Sequence, residues 1–128
     1  MKLNRLFGLV FGAVYLLVGL AGFTVTGGVG FSDTQGTALV IFDLNPLHNY
    51  VHLGIGALLL LGALVGSMAS KGVNILVGVV YLLVGLAGLF LVTSTYNILA
   101  INHADNGLHL VTGVLALVIG LRPEPQAA

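Results

Sequence analysis

The chain has 128 residues, 58% of them hydrophobic and 6% charged, with four basic residues balancing four acidic ones and a mean hydropathy of +1.11. So few charges cannot cover a soluble surface, for which roughly 25% is usual, and a chain without net charge lacks the basic footprint that nucleic acid requires. The absence of cysteine excludes disulfides, thiol catalysis and thiolate metal sites.

The length suits a single domain. Lys2 and Arg5 precede an apolar run that continues to about residue 26. This run is longer than a signal-peptide core and no polar mature domain follows it, so it reads as a retained transmembrane helix; there is no cysteine to acylate. Further apolar stretches cover about 46–67, 73–92 and 104–121, each near the ~20 residues that cross a bilayer. Between them lie a Gly/Ser/Thr-rich segment at 26–36, an expected tight turn around Lys71 at 67–72, and a mixed segment at 93–102. An R-P-E-P sequence from Arg122 ends the last span. Irregular backbone is not tolerated in lipid, so these breaks belong at the membrane surfaces. With four spans, Lys2, Arg5, Lys71, Arg122 and Glu124 fall on one side; Asp33, Asp43, Asp105 and the four histidines fall toward the other. The positive-inside rule then expects both termini, a short tail at 122–128 and the Lys71 turn in the cytoplasm.

Two halves repeat. The nine-residue stretch V-Y-L-L-V-G-L-A-G at 14–22 recurs unchanged at 80–88, an offset of 66. A polar element, N-P-L-H-N-Y-V-H-L at 45–53, returns as N-H-A-D-N-G-L-H-L at 102–110, an offset of 57, so the first outer loop is nine residues longer. Two spans per half insert both copies the same way up. The expected architecture is therefore an all-α transmembrane four-helix bundle, one domain over 1–128. It is built from two parallel two-helix repeats at about 4–67 and 72–121, related by a pseudo-twofold axis along the membrane normal. Gly8, Gly12, Gly62 and Gly66 form small-xxx-small pairs, and Gly12, Gly19 and Gly22 match Gly78, Gly85 and Gly88, as close helix packing in lipid would require.

Each polar element starts like a helix N-terminus. Asn45 is a good N-cap with Pro46 at the first helical position and His48 at the third. Asn102 and Asp105 resemble a capping box, and Asp105 meets the positive end of the helix dipole. Capping does not explain Asn49 and His52, or Asn106 and His109, which lie at i and i+3 on one helical face, with Gly56 and Gly113 four residues beyond each histidine. His52 and His109 are about 10 Å deeper than the caps at 1.5 Å per residue, where polar groups need partners. Asn49, His52, Asn106, His109, His48 and Asp105 are therefore the candidate polar or ligand-binding cluster.

Three accounts stand. In the leading one, these groups hydrogen-bond across helices and fix the packing, with no cofactor. In the second, His52 and His109 face each other across the axis and bind a metal ion or a haem iron, with the asparagines and His48 behind them; two imidazoles alone make a poor zinc site. In the third, the cluster lines a small pocket that binds a ligand or relays protons. Tyr15 and Tyr81, at equivalent mid-helix positions, can complete the network. His103 reads as an interfacial loop residue. No nucleophile–base pair or paired carboxylates appear, which weighs against an enzyme.

The paired signature N-P-L-H-N-x-V-H-L-x-x-G at 45–56 and A-D-N-x-L-H-L-x-x-G at 104–113 resembles the bacterial membrane family of domain of unknown function 4383. The resemblance implies a small four-span protein of the bacterial cell membrane and supplies no activity. Its motif positions here are Asn45, Pro46, His48, Asn49, His52, Ala104, Asp105, Asn106 and His109. At Gly107 an aromatic is common in the family, and its absence is expected to loosen packing at the outer end. The expected partners are the lipid bilayer and a larger membrane complex or a second copy, not nucleic acid. The expected role is a structural or accessory membrane component, with metal, haem or small-ligand binding as the alternative.

Overall fold

The computed structural model describes residues 1–123; Glu124 and the rest of the expected tail lie outside them. The elements in chain order are α1 (Leu3–Gly22), β1 (Thr37–Leu39), β2 (Phe42–Leu44), α2 (Pro46–Val65), α3 (Ser67–Leu91) and α4 (His103–Leu121). All four helices are long and apolar enough to cross a membrane. The chain is a transmembrane four-helix bundle with a small hairpin.

Helix packing follows the duplication. α1 lies against α2 and α3 against α4; the two pairs then meet mainly through α2 and α3, less through α1 and α3, and only slightly through α1 and α4. Glycine makes the intimate pairs possible. A Cβ on Gly12 would sit 2.9 Å from the Gly56 carbonyl oxygen, and one on Gly78 would sit 3.0 Å from that of Gly113. These four positions are repeat equivalents, so the same backbone-to-backbone crossing is built twice. Such contacts supply dispersion and Cα–H···O attraction where lipid offers no hydrophobic drive.

Two boundaries differ from expectation. α1 stops at Gly22 and residues 23–26 form a turn, because a T-V-T-G-G sequence combines β-branched residues with glycines and does not sustain a helix. The expected turn at 67–72 is not there. Gly66 alone reverses the chain, at φ 151° and ψ 179°, a conformation open to glycine and not to side-chain-bearing residues. α3 therefore begins at Ser67, and Lys71 lies within it.

The cations collect at one end. Arg5 Nε donates to the Ala63 carbonyl at 2.8 Å, near the end of α2, and Lys71 Nζ donates to the Arg122 carbonyl at 3.2 Å, just past the end of α4. Arg5 and Lys71 are repeat equivalents, each placing a positive charge on the negative dipole end of its partner helix. Beside them Asn74 Nδ2 donates to Asn4 Oδ1 at 2.9 Å and to its carbonyl at 3.1 Å, while Ser70 Oγ donates to the same carbonyl at 2.7 Å. All three side chains are buried and tie α1 to α3.

The opposite end carries the hairpin, which occupies part of the longer loop between α1 and α2. Leu39 pairs with Phe42 across a two-residue Val40-Ile41 turn. Val40 has φ 63°, a left-handed conformation that is strained for a β-branched residue. Asn102 Nδ2 donates to the Ile41 carbonyl at 2.8 Å and anchors this turn.

Candidate functional site

Both polar elements cap their helices as the spacing predicts. Asn45 Oδ1 accepts from the His48 backbone N–H at 2.8 Å. Asn102 Oδ1 accepts from Asp105 N–H at 3.0 Å, and Asp105 Oδ2 accepts from Asn102 N–H at 2.9 Å, completing the capping box. The cap amides also exchange contacts between halves. Asn45 Nδ2 donates to the Ile98 carbonyl at 2.8 Å, and Asn102 Nδ2 to Ile41; Ile98 and Ile41 are themselves repeat equivalents. Asn45 Nδ2 makes a further bond to the Asp33 carbonyl at 2.9 Å. Each cap thus satisfies a helix end and clips the other half's loop at this end of the bundle.

The two asparagines one position past the N3 residue turn toward their own half. The Asn49 amide lies where a Cβ on Gly22 would be, and the Asn106 amide does the same at Gly88. Asn49 Nδ2 also donates to Thr26 Oγ1 at 2.9 Å. Asn106 has no such donor–acceptor pair, because Val92 holds the position equivalent to Thr26.

The histidines turn toward the axis. His48, His52 and His109 are all buried, at 1%, 3% and 3% exposure. One ring nitrogen from each lies within 4.8 Å of the others. Ring centroids are 4.4 Å apart for His48 and His52, and 5.9 Å for His48 and His109. Neither nitrogen of His48 or His52, nor Nδ1 of His109, makes a well-formed hydrogen bond among the described residues. His48 does not reach back to its cap. Its ring is drawn inward, beside the backbone of Asp43 and Leu99, and joins the two deeper imidazoles. The signal for this trio is the i, i+4 spacing of His48 and His52, which sets two imidazoles on one helical face; pairing Asn49 with His52 at i, i+3 does not isolate it.

Two tyrosines back the cluster. Tyr15 stacks obliquely on His52 at 5.4 Å, Tyr81 on His109 at 5.0 Å, and the tyrosines meet edge-on at 5.4 Å across the pseudo-twofold axis. The Tyr15 hydroxyl lies beside Thr112 and Tyr81. The Tyr81 hydroxyl makes no well-formed hydrogen bond, since Ile55 stands in the first half where Thr112 stands in the second.

A pair of cavities flanks the rings. One, of about 40 Å³, is lined by His48, His52, His109, Ile55 and Tyr81. The other, of about 190 Å³, is lined by His52, Asp105, Thr112, Tyr15 and apolar residues of α1, α4 and the hairpin. Tyr15 and Tyr81, His52 and His109, Asp105 and His48, and Thr112 and Ile55 are equivalent across the repeat, so these are the same pocket formed twice. Asp105 is outside the histidine trio, its carboxylate committed to the cap. His103 is the first residue of α4 and is exposed. Gly107 faces open space, so a missing aromatic there leaves the bundle packing untouched; its counterpart Tyr50 packs at the outer rim on Phe23 and Phe31 at 5.0 and 6.2 Å.

The family model for the domain of unknown function (DUF4383) matches residues 5–122, from the first turn of α1 to the end of α4. The chain belongs to this family. No curated protein and no solved structure matches it. Within this DUF4383 chain, Thr26, Thr112, Asn4, Ser70 and Asn74 join the buried polar inventory without a motif to announce them. For Asn4 and Ser70 the offset of 66 is the available signal.

Proposed function

We propose that this protein is a single-domain, multi-pass protein of the bacterial plasma membrane, termini cytoplasmic, that holds a transition-metal ion on His48, His52 and His109 in its outward half. The observation that carries the reading is the convergence of three buried imidazoles, one nitrogen of each within 4.8 Å of the others, with five of their six ring nitrogens making no well-formed hydrogen bond among the described residues. A purely structural cluster would pair these atoms across helices, because an unpaired buried polar group costs roughly 1–3 kcal/mol. The caps Asn45 and Asn102 do pair in that way. The histidines do not.

The donor set fits the ion. Neutral imidazole suits zinc, copper, nickel or iron. Zinc–nitrogen bonds of about 2.0–2.1 Å put two nitrogens on one ion about 3.3 Å apart, so the rings need only close in from their present 4.8 Å limit. Three protein ligands leave a fourth position for water or a ligand, and the Tyr81 ring stands 5.0 Å from that of His109 at the edge of the site. A haem fits poorly, because the His48 ring crowds the space between His52 and His109 that a macrocycle would take. Exposed Leu17, Leu61, Leu83 and Val118 offer an apolar exterior to the bilayer, the partner this reading requires; a larger complex or a second copy would associate through the same faces. The four cations at one end support the cytoplasmic assignment of the termini.

A second reading has one observation of its own: the 40 Å³ cavity touching all three rings is large enough for a water bridging them. Metal analysis separates the two. Detergent-purified protein, stripped with chelator and reloaded with zinc or copper, is expected to retain one ion per chain and gain thermal stability. The ion is expected to be lost in His48→Ala, His52→Ala and His109→Ala while far-UV circular dichroism stays helical. A wild type that retains no stoichiometric ion and is indifferent to chelator contradicts the metal reading and leaves the bridging water.

A further inference from the structure

The two equivalent pockets differ nearly fivefold in size, about 190 against 40 Å³, although the repeat would build them alike. The larger lies between α1 and α4, which pack less closely than α2 and α3, the helices that hold its twin. Its mouth is flanked by Val14 and Leu108, both exposed on the outside of the bundle, and its outward side is covered by Leu39, Val40 and Phe42 of the hairpin. Those walls are almost wholly apolar. At the inner end stand His52, buried with neither ring nitrogen bonded, and the hydroxyl-bearing Tyr15 and Thr112. Thr112 replaces the Ile55 of the twin pocket, so the open pocket has a second hydroxyl where its twin has only that of Tyr81.

We propose that this cavity is a lateral port through which a single-chain lipid alcohol enters from the bilayer and hydrogen-bonds its hydroxyl to His52. The tail requirement follows from the position of the mouth, which opens onto hydrocarbon. The size requirement follows from volume: a dry cavity of about 150 Å³ accepts a benzene-sized group, so this one takes a head and a few carbons while the rest of the tail stays in lipid. The head must be uncharged. Asp105 lines the same wall and disfavours a carboxylate or phosphate, whereas a hydroxyl can donate to or accept from His52, Tyr15 and Thr112. The port shares His52 with the proposed metal site but does not need an ion, since the imidazole can bond the hydroxyl directly.

The test uses the full chain, metal-stripped, in phosphatidylethanolamine/phosphatidylglycerol nanodiscs with a diazirine-bearing hexadecanol as photoprobe. Crosslinks are expected on the α1 and α4 peptides that contain Val14 and Leu108. Unlabelled hexadecanol is expected to compete about tenfold better than hexadecane, the worth of one hydrogen bond, and better than palmitic acid. Val14→Trp and, independently, Leu108→Trp are expected to plug the mouth and abolish the competed labelling, while Leu83→Trp on a lipid-facing surface leaves it intact. Equal competition by hexadecane would show an acyl chain merely filling a groove and overturn the proposal. So would labelling unchanged in both plug variants that remain helical by circular dichroism. Zinc stoichiometry measured on the same wild-type preparation reports separately on the metal reading.

Discussion

The two halves of this bundle share a frame and differ in what they place inside it. Both use an Asn cap that clips the opposite loop, a glycine-on-glycine crossing, an Asn amide against a glycine, and a Tyr stacked on a His. The differences lie both at the axis, with His48 against Asp105 and Ile55 against Thr112, and away from it, with Thr26 against Val92 and a hairpin against a short loop. Duplication set the helices at a common height, and divergence at a few inward positions then produced an asymmetric centre. A perfectly symmetric dimer of halves would carry an even number of imidazoles at the axis; the third one, from a single half, is what would make the proposed metal site tridentate.

The sharpest way to break the shared frame is at the crossing. Gly56→Leu drives a side chain into the backbone of Gly12 and Leu16, where even a Cβ would lie 2.8 Å from both. A loss of more than about 3 kcal/mol is expected, read as unfolding in mixed micelles. Gly54→Ala, with nothing near its missing Cβ, is expected to leave stability unchanged.

Next in size are the imidazoles. Replacing a ligating residue should cost more than the 10–100-fold typical of outer-shell partners, so His52→Ala is expected to weaken zinc binding by more than about 100-fold in a competition titration. Asp105→Asn, outside the trio, should leave affinity within about tenfold on the same scale.

The caps test the exchange between halves. Asn45→Ala removes one accepted and two donated hydrogen bonds, and Asn102→Ala one of each. Expected losses are about 3 and 2 kcal/mol respectively, measured by thermal unfolding. The smallest effect sharpens the asymmetry at Thr26. Thr26→Val leaves Asn49 as poorly paired as Asn106 and should cost about 1 kcal/mol, while Val92→Thr should gain a similar amount if it supplies Asn106 with the missing partner.

Four spans, their pairing into parallel repeats, and both N-caps were legible because they depend on local signals: apolar length, identical nine-residue stretches, and Asn three residues before a helical N–H that needs an acceptor. The glycine contacts were legible as positions but not as partners. Less of the site could be read. The i, i+3 pairs locate Asn49 and His52 on one side of α2, yet the asparagine serves the α1 contact and the histidine the axis, a division set by Gly22 and Tyr15 on another helix. His48 was visible as an N3 residue, and its turn inward depends on the packing of the opposite loop near Leu99. The hairpin was hidden because its strands are three residues long and its turn carries Val-Ile in place of Asn-Gly or Asp-Gly. Gly66 looked like one half of a packing pair, and its backbone angle shows it to be the turn itself.

The most direct test of the central claim is X-ray absorption at the zinc edge on stripped and reloaded protein. The account predicts one ion per chain, with three imidazole nitrogens at about 2.0–2.1 Å in the first shell and one of them lost in His109→Ala. A reloaded sample with no bound zinc, or with a first shell lacking imidazole scattering, would contradict it.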